Sequence, residues 1–150
     1  MDPIALINPK KDSTLAMMLA AQAKGWEIYH FEQDGLYVQG GDIYVQCQQI
    51  EVFNDLEVWH RPIESLKIPV SELSAVLLRK DPPFDMEYIY STYLLEMAET
   101  AGTPVLNRPG SIRDCNEKLF ALQFPQCCPP HVVSRNPEIL KEFHEVHGDV

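Results

Sequence analysis

The sequence predicts an α/β fold with a largely parallel sheet. Segments of strand character alternate with segments of helical periodicity, which is typical of α/β proteins. The continuous apolar run at 75–78 favours a strand buried on both faces, as in a parallel sheet. Pro82 and Pro83 follow it and end the strand, because proline has no N–H to donate. Arg79 therefore comes directly after a strand, where open α/β sheets bind ligands.

The first half of the chain is predicted to contain a helix, a strand and a hairpin. Asp12 and Ser13 are suited to a helix N-cap, and Gly25 to the helix end. Gly40 and Gly41 have the length of a two-residue hairpin turn. The predicted elements are a helix at 12–25, a strand at 26–31, and hairpin strands at 36–38 and 43–45. Residues 48–68 show no clear period, and 59–62 are expected in a loop.

The second half is predicted to continue the alternation. Asp85 caps a long helix that Gly102 closes, and Asn136 with Pro137 begins the last helix. The predicted elements are a helical turn at 69–73, a strand at 75–78, a helix at 85–101, a strand at 105–106, a helix near 111–122, a linker at 123–130, a strand at 131–134 and a helix from 136 to 147.

Composition narrows the possible functions. The 150-residue chain has a net charge of −10, which argues against nucleic acid or an anionic membrane as a bulk partner. No apolar run approaches the roughly 20 residues of a membrane span, and the N-terminus lacks a signal-peptide pattern. We therefore expect a soluble, cytosolic protein. The four cysteines have no metal-binding spacing, and reduced thiols at Cys127 and Cys128 are favoured over a strained vicinal disulfide.

The basic residues are gathered into loops. Seven of the twelve lie in three short segments, which are Lys10 and Lys11, Arg79 and Lys80, and Arg108, Arg113 and Lys118. Such clusters in an acidic protein favour small anionic ligands. Arg79 is interpreted as a ligand contact, because a guanidinium matches carboxylate or phosphate. For Lys10 and Lys11 alone, a solvated loop before an ordinary helix cap is the favoured interpretation.

Four segments carry a resemblance to a known family. They are Met-Asp-Pro-Ile at 1–4, Lys-Lys-Asp-Ser at 10–13, Arg-Lys-Asp-Pro-Pro-Phe-Asp at 79–85 and Asn-Glu-Lys-Leu at 116–119. In this order they resemble the N-terminal portion of the bacterial glutathione synthetases, which are ATP-grasp ligases. The resemblance implies a Rossmann-like pre-ATP-grasp substrate domain at 1–116 and the beginning of an ATP-grasp domain at 117–150.

The resemblance also implies an activity and a set of site residues. The family ligates γ-glutamylcysteine and glycine through an acyl phosphate, using ATP and Mg²⁺. Arg79 would bind a carboxylate of the dipeptide, Lys11 would support it, and Asp2 and Asn8 would line the loop facing the site. Lys118 would contact an ATP phosphate. No catalytic residue and no metal ligand is assigned within these 150 residues, and a homo-oligomer is expected.

The chain departs from the family pattern at both ends. Family members carry an apolar strand before the Met-Asp-Pro segment, and they continue beyond the equivalent of Val150 into the phosphate-covering loop and the metal ligands. We therefore expect an inactive fragment of a longer enzyme. We also expect residues 4–7 to replace the first strand in part, or a gap between its neighbours. The alternatives are another ATP-grasp carboxylate–amine ligase, or a non-catalytic module that binds a small carboxylate or a partner subunit.

Overall fold

A computed structural model of the chain describes residues 1–116 and 118–148. The chain divides into two compact units, Met1–Asp114 and Cys115–Val150, and each is described by itself. The boundary between a substrate domain and an ATP-grasp domain, expected after residue 116, remains a prediction.

The first unit contains three helices and six strands among its described residues. These elements are α1 (Ser13–Ala23), β1 (Ile28–His30), β2 (Leu36–Gln39), β3 (Asp42–Val52), β4 (His60–Pro69), β5 (Val76–Leu77), α2 (Met86–Thr100), β6 (Val105–Leu106) and α3 (Pro109–Asp114). A short 3₁₀ turn at Ile4–Leu6 precedes α1, and two more, at Gln33–Gly35 and Val70–Glu72, lie between strands.

The main sheet is antiparallel, which corrects the expectation of a largely parallel sheet. β3 pairs with β1, β2 and β4, and all three pairings are antiparallel. Three strands, β2 to β4, follow one another without an intervening helix, so short connections force them to pair antiparallel. The predicted hairpin is confirmed, and its turn residues Gly40 and Gly41 have φ values of +64° and +98°. A two-residue hairpin turn of this kind needs positive φ at both positions, which glycine adopts readily.

The stretch without a clear period forms a long hairpin arm. β3 continues to Val52, and β4 begins at His60, so the expected loop at 59–62 is wrong. The turn between them is held by Asp55, whose carboxylate accepts bonds from the amides of Glu57 and Val58 at 2.7 and 2.8 Å. Most β4 side chains are exposed, so this strand lacks the apolar alternation that identifies a half-buried strand.

The parallel part of the fold is small. β5 pairs in parallel with β6, and α2 forms the crossover between them. Val76 in β5 is buried but Leu77 is 46% exposed, so the expected burial of both faces is not observed. Ala98 and Leu95 on α2 pack with Val76 and Val105 in the core of the unit.

A gap separates β5 from β1. Ile4–Leu6 forms a 3₁₀ turn and does not replace a strand. Within the described residues, β5 pairs only with β6, and β1 pairs only with β3. A cavity of about 1200 Å³ is lined by residues of α1, β1, β4 and β5. Of the two expected arrangements, the gap is the one observed.

Among its described residues, the second unit contains α4 (Pro137–His147) and two 3₁₀ turns, at Phe120–Gln123 and Pro125–Cys127. The Asn136 side chain caps α4 by accepting a bond from the Glu138 amide at 3.0 Å, as predicted. The expected helix near 111–122 is shorter, because α3 ends at Asp114 in the first unit. The strand predicted at 131–134 is absent from the described residues, where no partner strand pairs with it.

Candidate functional site

The site begins at the N-terminus of α1. Asp12 caps the helix by accepting a bond from the Leu15 amide at 2.7 Å. Asn8 shapes the preceding turn, because its carbonyl accepts bonds from the amides of Lys11 and Asp12 at 2.9 and 3.0 Å. Its side-chain oxygen accepts a further bond from the Lys10 amide at 3.1 Å. This turn places exposed Lys11 just before the positive end of the helix.

Arg79 lies against this helix end. Its Nε donates to Thr14 Oγ1 at 3.2 Å, and its Nη2 donates to Ser13 Oγ at 2.7 Å. Arg79 follows β5 by two residues, so the end of a strand and the start of a helix meet at its guanidinium. The placement of Arg79 at the end of a strand, predicted from the apolar run, is therefore observed.

Asp2 fixes the loop that carries Arg79. Its Oδ1 lies 2.7 Å from Lys80 Nζ, and its Oδ2 accepts a bond from the Asp81 amide at 2.9 Å. Burial opposes ionisation of this carboxyl, but the bonds from Lys80 and Asp81 and the Lys80 charge outweigh it. The pKa of Asp2 is therefore below its ordinary value. The hydroxyl of Tyr88 on α2 adds a bond to the Lys80 carbonyl at 3.1 Å.

The N-terminal segment is attached to β1 on its other side. The Met1 amino group donates to the Phe31 carbonyl at 3.0 Å, and burial lowers the pKa of this amine. His30 is buried in β1, with its Nε2 at 3.3 Å from the Asp2 carbonyl oxygen. Burial lowers the pKa of His30 below its ordinary value of 6.5. His30 is thus favoured in its neutral form.

Asp2 contacts Lys80 and Asp81 in the loop after β5, directly beside Arg79. The Arg79 side chain bonds to Ser13 and Thr14 of α1, the helix that Lys11 precedes. Lys118 belongs to the second unit, where its amide donates to Asn116 Oδ1 at 3.0 Å. It lies in a turn, so the expectation that it stands on a helix is wrong. Glu117, part of the same motif, lies outside the described residues.

Sequence reasoning missed three participants in this site. Ser13 and Thr14 hold Arg79, and Tyr88 holds the loop behind it. Two adjacent hydroxyl residues on the first turn of a predicted helix were a signal for the first pair. Nothing in the spacing of Tyr88 distinguishes a hydroxyl that bonds to a backbone carbonyl from simple burial.

The described residues show neither a metal-binding cluster nor a helix that could span a membrane. No group of three or more His, Cys, Asp or Glu side chains there is arranged to hold a metal ion. No described helix is long and apolar enough to cross a membrane.

These features define a mixed α/β protein whose strand-end arginine meets the N-terminus of its first helix. The family model described as "Prokaryotic glutathione synthetase, N-terminal domain" matches residues 1–113. The chain therefore belongs to this family, as the resemblance predicted.

Curated relatives support the same assignment over the whole chain. Over 150 residues it is 55% identical to the glutathione synthetase of Pseudomonas aeruginosa, 54% to that of Pseudomonas putida and 47% to that of Yersinia pestis. Each match covers 100% of this chain and 47% of the relative. The chain thus spans about half the length of the curated relatives it matches.

Proposed function

We propose that the protein to which this chain belongs is an ATP-dependent ligase that joins γ-glutamylcysteine and glycine. The family match and the identity to glutathione synthetases over all 150 residues support this proposal. In the reaction, the dipeptide carboxylate attacks the γ-phosphorus of ATP, which gives an acyl phosphate and ADP. The glycine amine then attacks the acyl carbon, and inorganic phosphate leaves.

The observation that carries the proposal is the position of Arg79 at the N-terminus of α1. A guanidinium binds a carboxylate through parallel N–H donors, and the helix end adds a positive potential. We assign Arg79 to a carboxylate of the dipeptide and Lys11 to the supporting charge. Asn8 shapes the turn that carries Lys11. Positioned cations suit a reaction whose substrates and acyl-phosphate intermediate are all anions.

We propose that Asp2 does not contact the substrate directly. Both of its carboxylate oxygens are already bonded, one to Lys80 and the other to the Asp81 amide. A free carboxylate would also repel the substrate carboxylate, whereas the paired one has its charge largely compensated. Asp2 is therefore proposed to line the site by fixing the loop after β5.

The nucleotide side of the site is proposed from the resemblance. Lys118 would contact an ATP phosphate, and 117–150 would begin the ATP-grasp domain. Mg²⁺ would supply charge neutralisation at the β- and γ-phosphates when bound. The resemblance implies that the ligands of this metal come from segments outside residues 1–150.

A homo-oligomer is proposed as well, and an apolar stripe on α2 supports it. The exposed side chains of Met86, Tyr90, Tyr93 and Met97 follow each other at spacings of four, three and four residues. This spacing places them on one face of the helix. The order of the spacings is the same whether the helix is followed from its N-terminus or from its C-terminus. A second copy in antiparallel orientation would therefore meet the same spacing, as a two-fold interface requires.

A cytosolic location is also proposed. It is supported by the four cysteines, which are all free thiols, and by the net charge of −10, which disfavours anionic membranes.

The test of the activity uses the full-length protein. Purified enzyme is incubated with γ-glutamylcysteine, glycine, ATP and Mg²⁺, and products are followed by mass spectrometry and by ADP release. We expect one glutathione and one ADP per dipeptide consumed, and no tripeptide when any one substrate is left out. Turnover of another acid–amine pair in preference to this one would assign a different ligase, and no nucleotide-dependent ligation of any pair would indicate a binding module.

A further inference from the structure

Arg79 is held by two hydroxyl groups of α1, and we infer that Ser13 and Thr14 are positioning residues that orient its guanidinium toward the substrate carboxylate. This inference rests on the proposed function, because it assigns an orienting role only if Arg79 binds the dipeptide. It adds two residues to the site, and both act through Arg79 without contacting the reacting atoms.

The contacts define one edge of the guanidinium. Thr14 Oγ1 accepts from Nε at 3.2 Å, and Ser13 Oγ accepts from Nη2 at 2.7 Å. Both bonds lie on the Nε–Nη2 side of the guanidinium, so Nη1 and the second N–H of Nη2 take no part in these two contacts. Thr14 is only 8% exposed, which fixes the inner of the two acceptors in the body of the protein.

The partners of Arg79 differ in charge from those of three other arginines. Arg61 pairs with Glu51, Arg108 with Glu99 and Arg113 with Glu96, so a carboxylate offsets each of these cations. Arg79 is tethered by neutral hydroxyls instead. A hydroxyl restricts the guanidinium without cancelling its charge, which leaves that charge for an incoming anion.

Orientation matters because arginine has a long, flexible side chain. Fixing it before the substrate arrives removes part of the ordering cost of binding. Two hydroxyls on consecutive residues of a helix are a rigid support, since the helix backbone sets the distance between them. The expected benefit is tighter binding of the dipeptide, with no effect on the nucleotide.

The test uses the full-length enzyme and substitutions that remove only the hydroxyls. The double variant Ser13→Ala/Thr14→Val should raise the KM for γ-glutamylcysteine roughly tenfold. The KM for ATP and the melting temperature should change little. Ser13→Thr and Thr14→Ser keep the hydroxyls and should restore most of the lost affinity. Ser91→Ala and Thr100→Val are matched controls, because those hydroxyls donate to backbone carbonyls within α2, at 3.0 and 2.8 Å.

A carboxylate at position 13 tests whether the group that accepts the bond from Arg79 must be uncharged. Ser13→Asp would still accept a bond from Arg79, but its carboxylate would offset the guanidinium charge. We expect a greater rise in the dipeptide KM from Ser13→Asp than from Ser13→Ala. An Asp variant with unchanged or lower KM would overturn this part of the inference.

The Arg79→Ala background separates the inference from the proposed function. If the hydroxyls act through Arg79, removing them in that background should have no further effect on the dipeptide KM. A normal dipeptide KM for Arg79→Ala itself would reject the proposed role of Arg79. An impaired Arg79→Ala enzyme with a normal Ser13→Ala/Thr14→Val enzyme would reject the inference alone. Equal KM increases for dipeptide and ATP would assign the hydroxyls a purely structural role and would also reject it.

Discussion

Asp2 accepts a hydrogen bond from the Asp81 amide at 2.9 Å across 79 residues of sequence. The same carboxylate holds Lys80, so the residues on the carboxyl side of Arg79 are attached to the N-terminal segment. Ser13 and Thr14 hold the Arg79 side chain from the other direction. Contacts thus hold both the segment that follows Arg79 and the guanidinium itself, as a preformed anion site requires.

Replacing Asp2 with asparagine should loosen this loop. The amide side chain would keep an acceptor for the Asp81 N–H but would lose the charge that pairs with Lys80. Because the pair is partly exposed, we expect the free energy of unfolding at neutral pH to fall by about 1 kcal/mol. Urea unfolding of the two proteins measures the difference, and Asp55→Asn serves as a control at a turn outside the site.

The same comparison has a defined pH dependence. The folded protein holds the pKa of Asp2 below its ordinary value of 3.8. The stability from Asp2 is therefore complete above 3.8 and is lost as pH falls through the lower, folded value. The difference in the free energy of unfolding between wild type and Asp2→Asn should disappear only in this acidic range. A difference that stays constant in that range would show that the carboxylate charge contributes nothing to stability.

His30 should make the chain less stable in mild acid. Its folded pKa lies below 6.5 because burial disfavours the charged ring, so the unfolded chain binds the proton more readily. Stability is then greatest above 6.5 and falls as pH drops through and below that value. His30→Gln should reduce the change in melting temperature between about pH 8 and about pH 5. A His30→Gln protein whose melting temperature depends on pH as strongly as that of the wild type would contradict the prediction.

Helices were predictable because their ends have chemical signals. Asp12, Asp85 and Asn136 each cap a helix through a side-chain oxygen, as the sequence indicated. Glycine at 25, 102 and 148 adopts positive φ just beyond those helices. These interactions are local, so a short window of sequence contains all the residues that make them.

Sheet topology was less predictable because it depends on partners far away in sequence. β4 pairs with β3 along its whole length, yet most of its side chains are exposed and show no apolar alternation. The run at 75–78 has the composition of a fully buried strand, but Leu77 is 46% exposed. Composition alone does not distinguish a strand with one buried face from a strand with two.

The position of Arg79 in the site could be predicted because it depends on the end of a single strand. Arg79 was identified because two prolines mark where the strand stops. Its hydroxyl partners on α1 lie 65 and 66 residues earlier, and no local pattern links them to it. The roles of Lys11, Asn8 and Lys118 came from the resemblance and remain predictions.

Arg79→Lys should weaken binding of the dipeptide by full-length enzyme. Lysine keeps the positive charge but loses the planar fork and its bonds to Ser13 and Thr14. We expect a loss of about 1.5–3 kcal/mol in dipeptide binding, with little change for ATP. Titration calorimetry with each ligand measures both affinities. Equal losses for both would point to misfolding, and unchanged affinities would remove Arg79 from the site.

Tyr90→Lys should reduce self-association if the α2 stripe forms a two-fold contact. Tyr90 is 62% exposed, so a lysine there fits the free helix but places like charges opposite each other in a dimer. Light scattering coupled to size-exclusion chromatography should show a lower mass for this variant of the full-length protein. Val38→Lys, at a 48% exposed apolar residue on β2, should keep the wild-type mass. A Tyr90→Lys protein of wild-type mass would place any interface elsewhere.

Residues 1–150 alone should neither form glutathione nor hydrolyse ATP. Phosphoryl transfer depends on positioning and charge stabilisation, and Lys118 is the one phosphate contact proposed here. The resemblance implies that the phosphate-covering loop and the metal ligands lie beyond the equivalent of Val150, so ATP binding by residues 1–150 should be weak and insensitive to Mg²⁺. Calorimetry of the purified chain with ATP, with and without Mg²⁺, tests this prediction directly. A tight isotherm that requires Mg²⁺, or phosphate release above buffer with dipeptide and glycine present, would mean that these residues already hold a complete active site.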